Sequence, residues 1–375
     1  MSVTSFNQIR VSSAALRHNY RLLQQRAGNG VRVLAMVKAD AYGHGMEEAA
    51  RVFASTGCND FGVAEIGEAV RLRSSGIIGN IFVFLGFRPE ESGLFFEYDI
   101  TPIIYDLENG AALSREALRR GQEIVVHLKV DCGMGRLGLL PEEVDAFLAA
   151  LQQFPGIVVG GILSHFPMAD EHESQHSVEQ FSRFAGVVTK AGKELSLVRH
   201  IANSGGVLYF PHTCCDMVRA GISLYGYYPD GRAGREREKG EKLQPAMSFV
   251  TRVLQVRTVP AGTGISYGYT YTTERETRLA VLPVGYEDGL SRSLSNRGEV
   301  LIRGKRAAIR GRICMNLCIV DISEIEGVQS GDEVVILGHQ GDDCISGDEI
   351  AERMNSISYE VLCLFGNNNE RTYKE

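Results

Sequence analysis

Lys38 directly follows an apolar segment, residues 31–37, that has the pattern of a buried β-strand. An unpaired ammonium group in such a place is costly, and that cost lowers the pKa of the amine. A neutral lysine amine is a nucleophile that can form a Schiff base with a carbonyl group. The position alone is equally compatible with a lysine whose side chain reaches the surface. The neighbouring residues are needed to distinguish this lysine from a nucleophile.

A second motif, residues 131–138, contains the G-x-G-x-x-G spacing at Gly133, Gly135 and Gly138. In dinucleotide-binding folds the helix begins inside this motif, so that its N–H groups meet the pyrophosphate. Here the helical pattern begins later, at Pro141, and the next strand segment, residues 157–164, has no Asp or Glu at its end to bind a ribose. These differences argue against a nucleotide site.

A third motif, residues 172–176, matches H-E-x-x-H, the zinc-peptidase helix in which two histidines share a metal and the glutamate acts as a base. The residues on both sides of the motif are polar or charged, and no clear third ligand follows them. We therefore interpret the motif as a solvent-facing helix start and expect no metal site.

The composition excludes several classes of protein. A chain of 375 residues can bury a large core, and its net charge of -7 argues against a general binder of nucleic acid or anionic membranes. Eight scattered cysteines without a C-x-x-C pair indicate reduced thiols. No apolar run approaches about 18 residues, and the first six residues lack the order of a signal peptide. We expect a cytoplasmic protein with no membrane partner.

Short apolar segments alternate with amphipathic stretches from residue 31 to about residue 221. Near-continuous apolar strands indicate burial on both faces, as in a parallel sheet covered by helices. Residues 13–27, 141–151 and 178–188 have the apolar stripe of a helix. The alternation predicts a (β/α)8 TIM-type barrel over residues 1–242, with an open doubly wound sheet as the competing arrangement. The strand segments are residues 31–37, 61–64, 81–85, 100–105, 124–130, 157–164, 197–202 and 217–221.

The pattern changes after Tyr228. Residues 230–242 are charge-dense and poor in apolar side chains, which is typical of a linker or surface loop. Beyond them, strand segments bounded by Gly, Asp and Asn follow one another without a long helical stretch, and they predict a mostly antiparallel β domain over residues 243–375. These segments are residues 247–259, 278–284, 299–302, 306–309, 318–322 and 333–337.

The segment around Lys38, A-M-V-K-A-D-A-Y-G-H-G at residues 35–45, resembles the pyridoxal-phosphate lysine motif of bacterial alanine racemases. The resemblance continues in order over nearly the whole chain, which makes it highly specific. It implies a (β/α)8 barrel with a C-terminal β domain, a pyridoxal 5'-phosphate cofactor, and interconversion of L-alanine and D-alanine that supplies D-alanine for peptidoglycan. The further motifs are residues 129–138, 164–166, 202–205, 218–226, 266–268, 285–289, 311–315 and 358–360.

The resemblance implies that Lys38 holds the cofactor through a Schiff base and that Arg219 faces its pyridine nitrogen. Arginine donates hydrogen bonds and does not deprotonate, so the nitrogen must accept and stays largely unprotonated. An unprotonated nitrogen weakens the cofactor as an electron sink, which limits side reactions such as transamination. The other cofactor-binding residues that the resemblance implies are Tyr42, His165, Asn203, Ser204, Gly221, Ile222 and Tyr359.

A racemase removes the α-proton from one face of its substrate and returns a proton to the other, so two opposed bases are the natural solution. The resemblance implies Lys38 for the D-isomer face and Tyr267 for the L-isomer face. A tyrosine with a pKa of about 10 needs help to act as a base. In the family that help is a histidine, here His165, which in turn meets Arg219. Because the family joins its two bases across a head-to-tail homodimer, we expect a monomer to be inactive.

The resemblance assigns the substrate carboxylate to Arg136, assisted by the Met315 backbone. Lys129 resembles a lysine that family members carry as a carbamate, although a plain lysine stays possible. Asn316 is a departure, because the family commonly has Asp after the 311–315 motif; local pKa values and substrate preference are therefore in doubt. The substrate entrance is assigned to Asp170, Tyr286, Arg292, Arg312 and Ile357, with Tyr359 capping it. A mouth with these tyrosines suits a one-carbon side chain.

Three other functions stay open at the level of the sequence. A related pyridoxal-phosphate racemase for serine or another amino acid would be distinguished by its kcat/KM values across L-amino acids. A pyridoxal-phosphate carrier without catalysis shares the barrel but lacks the β domain and its tyrosine. A zinc peptidase would be recognised by metal analysis.

Overall fold

The computed structural model describes residues 5–191 and 196–375. The first four residues, on which the expectation about a signal peptide partly rests, lie outside the described residues. The chain divides into two compact units. Residues 16–41 and 46–244 form the first, which we call the barrel unit, and residues 5–15, 42–45 and 245–375 form the second, the sheet unit.

Two short segments of the sheet unit lie within the predicted barrel region. The first contains strand β1 (Gln8–Ser12), in which buried Ile9 and Val11 alternate with less buried residues. This alternation is typical of an antiparallel sheet with one covered face, and not of a barrel strand. The second segment, residues 42–45, follows Lys38 almost directly.

Eight parallel strands form the sheet of the barrel unit. They are β2 (Arg32–Met36), β3 (Asp60–Val63), β4 (Asn80–Val83), β5 (Ile100–Ile104), β6 (Ile124–Lys129), β7 (Ile157–Leu163), β8 (Val198–His200) and β9 (Met217–Ala220). Their order is β8-β7-β6-β5-β4-β3-β2-β9. Backbone hydrogen bonds from Arg219 to Ala202 (2.8 Å) and from Asp216 to Arg199 (3.1 Å) join the two ends of this row. The predicted barrel is confirmed, and the open doubly wound sheet is excluded.

The three helices that the sequence predicted are present. They are Ser13–Ala27, Val144–Leu151 after a 3-10 turn at Pro141–Glu143, and Gln175–Ala191. Short helix Arg232–Arg237 lies in the charge-dense segment that was expected to be a loop. The remaining helices of this unit are Met46–Ser55, Ile66–Ser74, Ser92–Glu97, Leu107–Arg120 and Ser204–Tyr209. Among the residues described, no helix is long and apolar enough to cross a membrane.

The sheet unit is mostly antiparallel, as predicted. Its later strands are β10 (Met247–Arg252), β11 (Gln255–Val259), β12 (Gly264–Ile265), β13 (Tyr271–Thr272), β14 (Thr277–Leu282), β15 (Glu299–Ile302), β16 (Lys305–Ala308), β17 (Cys318–Asp321), β18 (Glu333–Gln340), β19 (Asp343–Ile345) and β20 (Arg371–Lys374). The largest sheet has the order β16-β15-β18-β10-β1-β20, with β19 paired to β18. A second sheet has the order β11-β14-β17, and β12 pairs with β13. Among the described strands of this unit, β1 and β20 are the one parallel pair.

Two features of the sheet unit differ from the sequence prediction. Residues 247–259 form two strands, because the chain leaves one sheet for another where Val253 donates to Asp332 and Leu254 donates to Val281. Helices Gly347–Met354 and Ser358–Asn367 lie between β19 and β20, and neither was expected. The first of them is capped by the preceding residue, Ser346, whose hydroxyl accepts a hydrogen bond from the Glu349 N–H (3.1 Å). That S-x-x-E spacing is a helix-start signal that the sequence already carried.

Candidate active site

Lys38 lies at the carboxyl end of β2, where a left-handed turn begins. Residues 39–42 all have φ between 52° and 55°, a conformation that costs roughly 1–2 kcal/mol for each non-glycine residue. The turn is held by Glu68, whose carboxylate accepts a hydrogen bond from the Ala39 N–H (2.7 Å). Strained backbone that is held by its neighbours is typical of functional sites. The lysine could be predicted from the sequence, whereas the turn and the carboxylate that holds it could not.

Arg219 lies on β9 and is only 4% exposed. Its guanidinium donates to the main-chain oxygens of Ser164 (2.5 Å), His200 (2.8 Å) and Ile201 (3.2 Å). It also lies 3.2 Å from Nδ1 of His165 and 3.2 Å from Nδ1 of His200. Because a guanidinium can only donate, both Nδ1 atoms must accept, and each neutral imidazole therefore carries its proton on Nε2.

The pKa shifts of His165 and Lys129 indicate that the predicted cations lie near one another. Burial lowers the pKa of His165 well below its usual value, and the charges of Arg219, Arg136, Lys129 and Lys38 lower it further. Burial also lowers the pKa of Lys129, to about 8, together with the charges of Arg219, Arg136 and Lys38. These five side chains therefore share the carboxyl end of the barrel, which is where barrel enzymes build their active sites.

Arg136 belongs to a loop that is organised by one carboxylate. Asp131 Oδ1 accepts from the N–H groups of Gly133 (2.9 Å), Met134 (2.7 Å) and Gly135 (3.1 Å), and Oδ2 accepts from that of Arg136 (2.8 Å). Burial raises the pKa of Asp131, but these hydrogen bonds outweigh it and the pKa lies below its usual value. The G-x-G-x-x-G spacing thus belongs to a carboxylate-held turn. An Asp before a glycine-rich turn was the signal that could have identified it.

Four predicted cofactor-binding residues of the barrel unit lie where two short helical segments begin, namely Asn203, Ser204, Gly221 and Ile222. Ser204 opens one segment, and its Oγ accepts from the Gly221 N–H (2.9 Å). Ile222 opens the other, a 3-10 turn. Asn203 caps the first segment, because its side-chain oxygen accepts from the Gly206 N–H (3.0 Å). A hydroxyl beside successive backbone N–H groups is a donor set that suits a phosphate.

Tyr42 and Tyr359 lie beside each other in the sheet unit, with ring centroids 6.1 Å apart. The next residue, Gly43, packs closely on helix Ser358–Asn367, since a Cβ at Gly43 would lie 2.3 Å from a backbone oxygen of that helix. Burial, and then the proximity of Tyr359 and Cys363, raises the pKa of Tyr42. Tyr42 therefore stays a neutral hydroxyl that can donate a hydrogen bond.

Tyr267 lies in a tight turn of the sheet unit between β12 and β13, and its side chain is 70% exposed. The flanking Ser266 and Gly268 have φ of 61° and 68°, and this conformation directs the chain sharply around Tyr267. Ser266 Oγ donates to the backbone oxygen of Arg312 (2.6 Å). A Cβ at Gly268 would lie 3.3 Å from the Arg312 guanidinium, so the two predicted residues Tyr267 and Arg312 are neighbours.

The predicted entrance residues of the sheet unit lie on loops around the segment that follows Arg312. The Tyr286 N–H donates to the Cys314 oxygen (3.1 Å), and the next residue donates to the Met315 oxygen (3.0 Å). Arg292 opens a 3-10 turn that ends two residues later. The exposed large hydrophobic residues of the sheet unit include Tyr267, Tyr269, Tyr286, Met315, Leu317 and Ile357.

Asn316 makes a contact that the family's usual residue would not make. Its side-chain amide donates to the Glu287 carboxylate (3.0 Å). An ionised Asp cannot donate, and two carboxylates at this distance repel each other. The substitution thus removes one negative charge and adds one hydrogen bond beside Met315.

The H-E-x-x-H segment does not form one helix. The helix begins at Gln175, so His176 is helical while His172 precedes it, and the i, i+4 ligand geometry of zinc peptidases is not present. Asp170, a predicted entrance residue, is exposed on the same stretch of the barrel unit. Over residues 5–191 and 196–375, no group of three or more His, Cys, Asp or Glu side chains could hold a metal ion.

Family models and curated relatives both match nearly the whole chain, and both indicate the same family. A family model described as alanine racemase, N-terminal domain, matches residues 11–229, and one described as alanine racemase, C-terminal domain, matches residues 246–373. An alanine racemase of Syntrophobacter fumaroxidans is 40% identical over 366 residues, which cover 97% of this chain and 96% of that protein. One from Desulfosudis oleivorans is 44% identical over 362 residues, covering 93% and 91%.

Solved structures resemble the chain over its whole length. Alanine racemase from Bacillus anthracis with bound L-Ala-P matches with a TM-score of 0.93 at 30% identity, covering all of this chain and 96% of that one. Alanine racemase from Bartonella henselae, with covalently bound pyridoxal phosphate, matches with a TM-score of 0.89 at 27% identity and full coverage of both chains.

The Asp131 carboxylate is expected to order the loop that carries Arg136. Asp131→Ala removes four hydrogen bonds to a charged acceptor, each of which contributes about 1.5–3 kcal/mol, so amide hydrogen exchange at residues 133–136 should accelerate at least about tenfold. Asp131→Asn keeps one acceptor oxygen, so its exchange rates at these residues should lie between those of the wild type and of Asp131→Ala. Asp145→Asn, an exposed carboxylate of the next helix, is the control. Unchanged exchange in Asp131→Ala would contradict this role.

Proposed function

The chain belongs to the alanine racemase family, and from that membership we propose that it interconverts L-alanine and D-alanine with pyridoxal phosphate through Lys38 and Tyr267. The observation that carries the assignment of roles is the buried Arg219 guanidinium, with its two fixed histidines and its neighbouring lysines. The D-alanine product serves peptidoglycan synthesis.

The residues of the barrel unit fit the cofactor. Arg219 can donate to a pyridine nitrogen, while the Ser204 hydroxyl, which itself accepts from the Gly221 N–H, and the backbone N–H of Ile222 can donate to a phosphate. Lys38 supplies the amine that bonds to the carbonyl carbon. When bound, pyridoxal phosphate supplies an electron-withdrawing ring system that makes the Cα–H of the substrate acidic.

Two bases exchange the proton on opposite faces of the substrate. Lys38 Nζ takes or returns it on the D-isomer face, and Tyr267 Oη does so on the L-isomer face. Because Arg219 fixes His165 Nδ1 as an acceptor, the Nε2–H of His165 remains available to donate to the tyrosine oxygen. That hydrogen bond stabilises the ionised form of Tyr267, and it thereby makes the tyrosine a competent base.

Substrate orientation depends on Arg136. Its guanidinium matches a carboxylate in a bidentate geometry, and the loop held by Asp131 positions its backbone. The Met315 backbone assists from the sheet unit. The tyrosines of the entrance, Tyr286 and Tyr359, restrict the space for the substrate side chain to that of alanine.

A second copy of the chain completes each site in this proposal. Tyr267 is 70% exposed, whereas a proton-transfer base works in a site from which water is excluded. Met315 is 55% and Ile357 is 60% exposed on the same unit. In this proposal these exposed side chains belong to one surface, because a contiguous exposed apolar patch marks an interaction site. We therefore assign this surface to a head-to-tail homodimer in which Tyr267 of one copy serves Lys38 of the other.

The cellular location that we propose is the cytoplasm. The eight cysteines all lie in the part of the chain that the structure describes, and none of them is in a disulfide there, although Cys214 and Cys215 are adjacent. Reduced cysteines in this number are usual in a reducing compartment.

The two-base mechanism makes different predictions for the two residues. Lys38→Ala should lose the visible absorption band of the bound cofactor and all turnover. Tyr267→Phe should keep the band and lose at least about 100-fold in turnover, since a positioned base contributes roughly 10²–10⁴-fold. In D2O it should still exchange the Cα proton of D-alanine, through Lys38, but not that of L-alanine.

Mixing the two variants is the matched test of a shared site. Each variant subunit keeps the base that the other lacks, so a mixed dimer contains one intact site, and activity should return after the subunits are exchanged. Equal Cα exchange of both isomers in Tyr267→Phe would refute the two-base mechanism. No activity in mixed dimers, with each variant folded and dimeric, would refute the shared site.

The state of Lys129 depends on pH. Carbon dioxide reacts only with the neutral amine, and the pKa of Lys129 is lowered to about 8 by burial and by the neighbouring cations, so the reactive fraction rises as the pH rises through that value. A carbamate at this position would be an anion that orients Arg136. We expect protein in 13C-bicarbonate to show a carbamate signal that increases from about pH 7 to about pH 9.

Two variants test whether the carbamate signal comes from Lys129. It should be absent in Lys129→Ala and unchanged in Lys305→Ala, a matched change at an exposed lysine of the sheet unit. The proposal is wrong if wild-type protein shows no carbamate signal at the higher pH, or if Lys129→Ala keeps it.

A further inference from the structure

Three basic side chains inside the barrel form one hydrogen-bonded chain. His127 lies on β6, His200 on β8 and Arg219 on β9, and none is more than 4% exposed. His127 Nδ1 lies 2.9 Å from His200 Nε2, and His200 Nδ1 lies 3.2 Å from the Arg219 guanidinium. Barrel interiors are usually filled by Val, Ile and Leu, so this polar chain requires an explanation.

The hydrogen-bonding capacity of these three side chains fixes the position of each proton between them. Arg219 can only donate, so Nδ1 of His200 accepts and its proton lies on Nε2. That Nε2–H points at Nδ1 of His127, which must therefore accept. Burial, followed by the charge of Arg32, lowers the pKa of His127 to about 4, so this ring is neutral at pH 7 and its Nδ1 is free to accept. A hydrogen bond from His127 Nδ1 in the opposite direction is excluded while Arg219 stays in place.

The backbone around His127 is shaped to admit this ring. The pairing of β6 with β7 shifts register between Val126 and His127, so that Gly160 is left out and His127 pairs with Gly161. A Cβ at Gly161 would lie 2.4 Å from His127 Nδ1. A bulge and two adjacent glycines weaken a strand, and such features occur where a strand redirects a side chain or lets another group approach closely.

We propose that His127 is a positioning residue for racemisation: by accepting the Nε2 proton of His200 it holds His200 in the tautomer and orientation that Arg219 needs in order to face the cofactor ring. This inference rests on the proposed function, because it concerns how Arg219 meets a pyridine nitrogen. His127 does not touch substrate or cofactor in this proposal, and it acts through His200 alone.

Loss of the acceptor at residue 127 has a specific chemical consequence. His200 Nε2–H then loses its buried partner, and the ring can rotate or change tautomer to find another. Arg219 in turn loses its His200 Nδ1 acceptor and is less firmly directed to the pyridine nitrogen. A ring nitrogen that gains a proton is a stronger electron sink. The substrate amino group is then transferred to the cofactor more often, and pyruvate is released.

A matched pair of variants tests the acceptor. In His127→Asn the side-chain oxygen takes the place of Nδ1, whereas His127→Leu places a methyl group there. We expect the number of pyruvate molecules released per racemisation event to rise about tenfold in the Leu variant and to stay within about threefold of wild type in the Asn variant. The KM for alanine should change less than about twofold in both, because Arg136 is untouched. Gly161→Ala, which pushes the ring aside, should behave as the Leu variant does.

A measurement on the wild-type holoenzyme is independent of any variant. With 15N-labelled histidine, nuclear magnetic resonance should show a coupling across the hydrogen bond between His200 Nε2 and His127 Nδ1, with the proton on His200. Absence of that coupling, or equal pyruvate release in the Asn and Leu variants, would overturn the inference. Wild-type protein that binds pyridoxal phosphate but does not racemise alanine would instead contradict the proposed function.

Discussion

The Arg219 guanidinium is buried inside the barrel, and it can donate hydrogen bonds but cannot accept them. Three main-chain oxygens and two imidazole nitrogens surround it, so that a charge which would be costly in an apolar core is hydrogen-bonded on several sides. Burial lowers the pKa values of His165, His200 and Lys129, and the charge of Arg219 lowers them further. The tautomers of His165 and His200 therefore follow from one side chain.

The two units contribute different kinds of group to the proposed reaction. The barrel unit supplies Lys38 and the cations, at the carboxyl ends of strands that are rigidly paired on both sides. The sheet unit supplies Tyr267, on a turn whose positive φ values leave the ring exposed. A base on such a turn needs a partner surface to exclude water, whereas the groups that set the cofactor's charge are already buried within one chain.

Much of the fold could be predicted because buried parallel strands are nearly continuous apolar runs, and all eight barrel strands were recognisable as such. Strand β1 was missed because its partners, β10 and β20, are far away in the sequence and nothing local indicates that pairing. The break after Val253 was missed for the same reason, since both halves of the segment have strand character.

The site residues that resemble a known motif could be predicted, and those that support them could not. Asp131, Glu68 and His127 act through contacts that only the folded chain creates, and each is of a residue type that is common on surfaces. The left-handed turn at residues 39–42 was also invisible, because it contains no glycine. Tertiary contacts hold these residues in conformations that their local sequence does not favour.

The protonation state of the cofactor's pyridine nitrogen tests the central claim most directly. The protein would be loaded with pyridoxal phosphate labelled with 15N at that atom, and its chemical shift would be followed between about pH 6 and about pH 8. This range lies below the pKa of Arg219, which burial lowers to about 9. If Arg219 is the donor, the shift should be that of an unprotonated nitrogen that accepts a hydrogen bond throughout this range. A shift typical of a pyridinium ion would contradict the account.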